Sequence, residues 1–293
     1  MAADVSITAF NDYPLTFTIP ALGFDILVPG CSGTDELILF ANATTQEFAI
    51  TPKTNVVANA QGIVRQLPHT LTAACPGTQL SPLDVLLREY MNGAETTVYV
   101  RGADAPSPDT PSWMSELIKS VTLPVPFPGH TFSGLIRSFT MDNVHLGLPD
   151  PFADRDDPAS SPKISAVIKV IANLPKEMNF PIGVNSVRAN ADVFFKGDKL
   201  GFLDLREWQK ANSTRIRPHG DVPAGLAVDA IIKDAPLNIT NDDVFTDLIQ
   251  EMIFGGKRVV LGVKANVDVK TETAIGAFVV RDIPAEGKVP VKR

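Results

Sequence analysis

No catalytic spacing occurs in this sequence. It has no His-Glu-x-x-His, no Cys-x-x-Cys, no Gly-x-Ser-x-Gly, no Walker-type phosphate loop and no Gly-x-Gly-x-x-Gly. Metalloprotease, dithiol-redox, hydrolase, phosphate-loop and dinucleotide chemistries therefore have no foothold, and no cofactor or metal is implied. Histidine is scarce. The four are His69, His130, His145 and His219. They stand far apart and mostly beside Pro or Gly, so each reads as a solvated loop residue rather than a base or ligand. Basic residues are outnumbered. Net charge is −7, the pI is about 5.1, and Lys and Arg are scattered, with Lys257-Arg258 and Lys292-Arg293 as the densest spots. Nucleic-acid binding rests on clustered cations, so it is excluded. No apolar run reaches the ~20 residues of a membrane-spanning helix. The amino terminus shows no basic stretch leading into an apolar core.

Cysteine is nearly absent. Cys31 and Cys75 each fall just beyond a predicted strand. In an oxidising compartment they would pair; in cytosol they would stay free. The sequence leaves both open. Aromatics make up 7%. Trp113 and Trp208 are expected as core anchors, the commonest use of so large a side chain. Asp150, Asp154, Asp156 and Asp157 lack the spacing and closing Glu of a calcium loop, so Asp150–Pro162 reads as an acidic, Pro-rich linker. Asn42, Asn212 and Asn238 each open an Asn-x-Thr or Asn-x-Ser/Thr glycosylation pattern, a mild pointer to a lumenal setting.

What the sequence does contain is a repeat. Tyr13-Pro14-Leu15 matches Phe180-Pro181-Ile182. Phe24-Asp25-Ile26-Leu27-Val28-Pro29-Gly30 then matches Ala191-Asp192-Val193-Phe194-Phe195-Lys196-Gly197 at the same spacing. Both segments alternate apolar and polar residues, as a half-buried strand does. They alternate in the same phase. A one-residue slip would turn every side chain over, so shared phase is a stronger link than shared hydrophobicity. On this pattern Leu22, Phe24, Ile26 and Val28 point inward. Phe194 and Phe195, being adjacent, point to opposite faces. One of the two rings therefore points away from the alternating face, toward an apolar ligand groove, the helix or another domain.

A second block repeats as well. Asp84 to Gly93 with Val98-Tyr99-Val100 matches Asp247 to Gly256 with Leu261-Gly262-Val263. Its first part reads as a helix. Val244, Phe245, Leu248, Ile249, Met252 and Ile253 form one apolar stripe, and Gly255-Gly256 supplies a stop. In the first copy Ser81, Pro82 and Asp84 spell an N-cap, a first helical residue and a capping-box partner. A further short helix is expected from Ser112. Val121–Gly129 then carries three alternate prolines, which confines it to an edge strand or stiff connector. The domain boundary falls there, giving units at residues 1–128 and 129–293. The strand expected at Thr131–Gly147 has no counterpart ahead of the first copy. The expectation is that the first unit lacks its first strand and that the chain is a piece of a longer protein.

The second copy resembles the LEA-2 type of late-embryogenesis-abundant domain. The residues that carry the likeness are the strand Ile164 to its break at Pro181, then Ile182-Gly-Val and the alternating strand to Lys196-Gly197. Asp198-Lys-Leu-Gly201, Asp234-Ala-Pro-Leu237, the Val244 helix and the Val259 strand follow. With Leu174-Pro-Lys-Glu-Met, Trp208-Gln209 and the stretch from Trp113 to Gly129, the chain is similar to fungal proteins built from several such domains. The resemblance implies two tandem immunoglobulin- or fibronectin-like β-sandwiches, each with a short helix. It also implies the lumenal part of a vacuolar-membrane protein linked to ending autophagy, tethered through a segment outside this chain. Lipid binding or transfer in an apolar groove is the activity proposed for such domains. Two non-enzymatic readings follow. A lipid carrier needs a pocket or groove lined by aliphatic side chains. A protein-binding scaffold, for instance for a vacuolar membrane protein, predicts an exposed apolar patch or an unpaired edge strand. An enzyme would need distant groups, such as His145 with Asp142 or Asp150, to converge in a cleft. Oligomeric state is not set by the sequence.

Overall fold

The structure, a computed structural model, describes residues 2–64, 66–104, 106–129, 136–147, 161–174, 180–220, 222–254 and 259–291. His130, Asp150 and the acidic loop at Asp154, Asp156 and Asp157 lie outside the described residues. So do Gly255-Gly256, Lys257-Arg258 and Lys292-Arg293. The chain forms two compact units. One comprises Met1–Phe132 with Ala274–Gly276, the other Ser133–Thr273 with Ala277–Arg293. The sequence expectation put the division after Pro128.

Unit 1 contains β1 (Ala2–Asn11), β2 (Phe17–Ile19), β3 (Gly23–Gly30), β4 (Gly33–Thr45), β5 (Phe48–Ile50), β6 (Thr54–Ile63), α1 (His69–Thr72), α2 (Pro82–Met91), β7 (Thr96–Gly102), α3 (Ser112–Lys119) and β8 (Thr122–Phe127). Its main sheet has the antiparallel order β1-β6-β4-β3-β7-β8, and β2 pairs with β5 separately. Strand β4 meets β6 only where Asn42–Thr45 faces Ile63–Ala60. Beyond that corner β6 runs with β1, and β4 runs with β3. The sheet thus curls into two layers joined at a corner.

Unit 2 contains β9 (Ile136–Gly147), β10 (Lys163–Asn173), β11 (Ile182–Phe195), β12 (Asp198–Ile216), β13 (Gly225–Ile239), α4 (Asp242–Phe254), β14 (Val259–Thr273) and β15 (Gly276–Val291), in the sheet order β15-β14-β11-β12-β13-β10-β9. Strands β12 and β13 pair at their two ends but part between Leu203 and Ala211. In that gap β13 stays with β10 and β12 with β11. Two layers open, and a core fills the space between them. It includes Val193 and Phe195 of β11, Leu203 of β12, Ile232 and Leu237 of β13, and Leu261 of β14. Both units are mainly β, with curled antiparallel sheets consistent with a β-sandwich.

The two strand orders coincide. Reading unit 2 in reverse, β10-β13-β12-β11-β14-β15 superposes on β1-β6-β4-β3-β7-β8 in order and antiparallel sense. Helices α2 and α4 occupy the same place in the order, each directly ahead of the strand that pairs with β3 or β11. The repeated residues Phe24–Gly30 lie in β3, and Ala191–Phe195 lie in β11. Unit 2 adds β9 outside β10, and among the described residues unit 1 has no equivalent. A helix in each unit and a further one from Ser112 were expected. Among the described residues unit 2 has α4, and unit 1 has α2, the Ser112 helix α3, and a short α1 that was not expected.

Alternation in the first copy breaks at one point. Leu27, expected outward, is 2% exposed, and so is its neighbour Val28 at 1%. The β3–β4 register shifts between Ile26 and Leu27. The extra residue is Phe40 on β4, while β3 pairs with β7 through the same point without a shift, so Leu27 and Val28 face opposite ways and both faces of β3 are covered there. The capping box forms as written. The Asp84 N–H donates to Ser81 Oγ at 3.1 Å, and the Ser81 N–H donates to Asp84 Oδ2 at 3.0 Å. Both residues are buried. Ser81→Ala is expected to cost about 1 kcal/mol, read as a lower urea midpoint for unit 1. An unchanged midpoint would mean the α2 N-terminus is held by its loop rather than by its cap.

Candidate functional site

The described histidines fall on separate elements. His69 opens α1, His145 lies on β9, and His219 makes an isolated bridge with Val222. Asp142, weighed as a partner for His145, gives its carboxylate to Lys169 across the β9–β10 pair at 2.9 Å. That hydrogen bond holds the Lys169 ammonium above its usual pKa. Among the described residues, no group of three His, Cys, Asp or Glu is placed to hold a metal ion.

Cys31 and Cys75 are joined in a disulfide. Cys31 sits in the β3–β4 turn. Cys75 begins a tight loop, closed by its N–H donating to the Leu80 carbonyl at 2.8 Å, that leads straight into the Ser81 cap. The bond therefore pins the approach to α2 against a hairpin tip. The three glycosylation patterns all fall in strands. Asn212 on β12 is exposed. Asn238 on β13 is half-buried. Asn42 on β4 is half-buried and donates its amide to Asp25 Oδ1 at 2.9 Å.

Phe194 and Phe195 point to opposite faces, as adjacent strand residues must. Phe195 is 4% exposed and packs in the unit 2 core. Phe194 is half-buried on the other face, with its Cβ against Gly262 and the Lys264 ammonium 6.0 Å from its ring centre. The α4 stripe closes over the sheet. Leu248 is 0% exposed, and Val244, Phe245 and Met252 pack beside it on the same core.

Unit 1 carries an exposed apolar surface on α3 and β8. Opposite residues of an antiparallel pair share a face. Val98, Val100 and Gly102 of β7 therefore share one face with Val125 and Leu123 of β8. Helix α3 sits directly on Gly102, where a Cβ would come within 2.4 Å of Ile118. Tyr90 of α2 stacks on Phe127 at the other end of the same face, with ring centres 5.4 Å apart. Between the helices Leu123 and Val125 stay exposed. Trp113 corrects the sequence expectation, being 64% exposed rather than a core anchor. The side of α3 against the sheet carries Ser115 and Ile118. At 100° per residue, Trp113 and Leu117 fall on the opposite side. Both are exposed, and the result is an apolar, outward-facing helix surface.

Trp208 departs from the same expectation differently. It is half-buried between two cations, with the Arg188 guanidinium carbon 4.7 Å and the Lys270 ammonium 4.4 Å from the ring. Arg188 also donates to Asp268 Oδ2 at 2.8 Å. The β11–β12 register shifts between Val187 and Ala189, so Trp208 lies in a bulged stretch opposite Arg188. The sequence held Arg188, Trp208, Asp268 and Lys270 in plain view. Only the strand pairing brings them together. Their charges and ring satisfy one another, which makes the cluster a tie across β11, β12 and β14.

Residues 178–292 match the family model of the Tag1 C-terminal domain. That range takes in β11 to β15 with α4, the part of unit 2 that holds the closed core and the Trp208 cluster. No curated protein matches the chain.

Proposed function

We propose that this chain is a non-enzymatic, protein-binding pair of LEA-2-like units. On this reading it belongs to the lumenal side of a fungal vacuolar membrane, is tethered through a segment outside residues 1–293, and takes part in regulating autophagy. The observation that carries the binding part is the unit 1 surface. Trp113 and Leu117 of α3, with Leu123 and Val125 of β8, are exposed apolar side chains on the same side of one sheet. Solvent-facing apolar side chains gathered in this way are what a protein interface uses. The compartment rests on the LEA-2 resemblance. The match to the Tag1 C-terminal domain, the disulfide and the exposed Asn212 are in keeping with it.

The lipid-carrier reading draws less support. It needs a groove lined by aliphatic side chains. Leu248 fills the space between α4 and its sheet, and Phe195 fills the core beneath. The deciding experiment is native mass spectrometry of the protein from a eukaryotic host, followed by organic extraction. The expected result is a lipid-free polypeptide carrying a glycan at Asn212 and none at Asn42, whose amide is already donated to Asp25. Near-stoichiometric phospholipid or sterol would overturn the scaffold reading in favour of the lipid one. A bare Asn212 would count against the lumenal setting.

A further inference from the structure

The Trp208 tie is balanced in its contacts but not in its charge. Asp268 is one carboxylate shared by two guanidinium groups, Arg188 at 2.8 Å and Arg281 at 3.4 Å. Lys270 meets the neutral indole, 4.4 Å away. Two residues before Arg188 on β11, Ser186 stands directly between two lysines, Lys210 of β12 and Lys270 of β14. Val187 and Val269 pack against a core of unit 2, and Ala211 is buried in it. Their chain neighbours Ser186, Arg188, Lys210 and Lys270 therefore face away from that core, onto one outer surface. Facing residues of an antiparallel pair have Cβ atoms ~4.5–5.5 Å apart, which puts a lysine stem on either side of the Ser186 hydroxyl. Far apart in the sequence, the two lysines meet only through β11.

Lys169, Lys196, Lys199 and Lys264 of the same unit each hold a carboxylate, from Asp142, Glu251, Asp192 and Glu286. Among the described residues Lys210 and Lys270 hold none, and Ser186 Oγ has no hydrogen-bond partner. Like charges side by side repel, so the pair gains from an anion between them. The acids nearest by strand position are otherwise placed. Asp268 is taken by the two arginines. Glu272 stands a row further along β14, opposite Gly183. Asp229 of β13 stands opposite Lys169 and adds to the pull that holds that ammonium above its usual pKa. The backbone is irregular on both sides of the spot. The β11–β14 register shifts between Val184 and Ser186, and the β11–β12 register between Val187 and Ala189. Bulges re-aim side chains and are common beside binding sites.

We propose that Ser186, Lys210 and Lys270 form an oxyanion-binding site on the outer face of unit 2, and that its ligand is a phosphate group. Two ammonium groups and a hydroxyl offer donors from three strands. A phosphate offers several acceptor oxygens and the negative charge the lysines lack. Trp208, against which Lys270 lies, gives an apolar flank for the carbon skeleton that carries the phosphate. Arg188 stays committed to Asp268 and adds a fixed positive charge beside the site. The phosphate has two chemical sources, a lipid headgroup at a membrane surface and a soluble phosphate ester, and both present the same tetrahedral group. The site lies in unit 2, away from the α3 and β8 surface, so it stands or falls independently of the protein-binding reading.

The test follows Trp208 fluorescence in the oxidised, unglycosylated full chain carrying Trp113→Phe, at neutral pH and at an ionic strength held constant with chloride. The probes are inorganic phosphate, glycerol 3-phosphate, and phosphatidylcholine vesicles with and without phosphatidic acid. A bound phosphate draws the Lys270 ammonium off the indole, so the emission is expected to change and to saturate, in the millimolar range for the free phosphates. Ser186→Asp sets a carboxylate between the lysines and is expected to abolish the change. Lys210→Ala leaves the Lys270 reporter in place and should weaken binding about tenfold, the loss of one charged hydrogen bond. Lys233→Ala removes the same charge from an exposed lysine of β13 and should bind as the parent does. Equal urea midpoints show that the variants are folded. Binding to the phosphatidic acid vesicles about tenfold or more tighter than to glycerol 3-phosphate assigns the site to a lipid headgroup. Binding to the vesicles that is no tighter than this assigns it to a soluble ester. The proposal is overturned if no phosphate gives a saturable change, if chloride reproduces it, or if Ser186→Asp leaves it intact.

Discussion

Leu248→Ala is expected to destabilise unit 2 by about 3 kcal/mol, within the ~2–5 kcal/mol range for truncating a fully buried leucine. Leu248 is 0% exposed and lies at the centre of the α4 stripe. Part of the loss is apolar transfer and the rest is the cavity left between helix and sheet. The surroundings leave little room to collapse, because Phe195, Leu200 and Leu237 around the same core are themselves almost fully buried. The measurement is urea unfolding followed by tryptophan fluorescence in a Trp113→Phe background. Trp208 is then the sole tryptophan, since the chain has two, and it reports on unit 2. With a slope of about 2 kcal/mol per molar urea for a unit of this size, the midpoint should fall by about 1.5 M. A loss below about 1 kcal/mol would mean the helix is loosely seated. The space beneath it could then admit a ligand, and the lipid reading would regain its footing. The variant therefore tests packing and function together.

Much of the architecture was legible because it is local. Ser81, Pro82 and Asp84 act within one turn, so the α2 N-terminus follows from three letters. The alternation of Val187 to Phe195 fixes a strand and its inner face, and the prolines of β8 confine it to an edge. The repeat carried further than any single element. It pairs β3 with β11 and α2 with α4 from residue pattern alone, and the sheet orders agree with it. What escaped the sequence depends on contacts between distant residues. Leu27 is buried because the face of β3 opposite to Val28 is covered as well, which the local alternation does not reveal. Trp113 was expected inside because tryptophan usually is. Its place on α3 is decided by Ile118 meeting Gly102, and a glycine in a strand does not announce what will lie on it.

Loss of the Cys31–Cys75 bond is expected to cost unit 1 about 2–4 kcal/mol, because it closes a loop across a sequence separation of 44. In a unit of this size that corresponds to a fall in melting temperature on the order of 10 °C. The loss should be larger than for most surface changes because of what the bond holds. It fixes the residues that lead into the Ser81 cap, and α2 in turn covers β3 and β7 and brings Tyr90 onto Phe127. The check is calorimetry of the oxidised chain, the chain in reductant, and the Cys31→Ala/Cys75→Ala double variant. Reductant and double variant should lower the same transition by similar amounts and leave the unit 2 transition in place. An unchanged unit 1 transition would show that packing alone seats α2. The outcome bears on compartment too. If reduced unit 1 is largely unfolded at 37 °C, a reducing cytosol could not maintain it, and the exposed apolar face of α3 and β8 would exist as a folded surface only where disulfides persist.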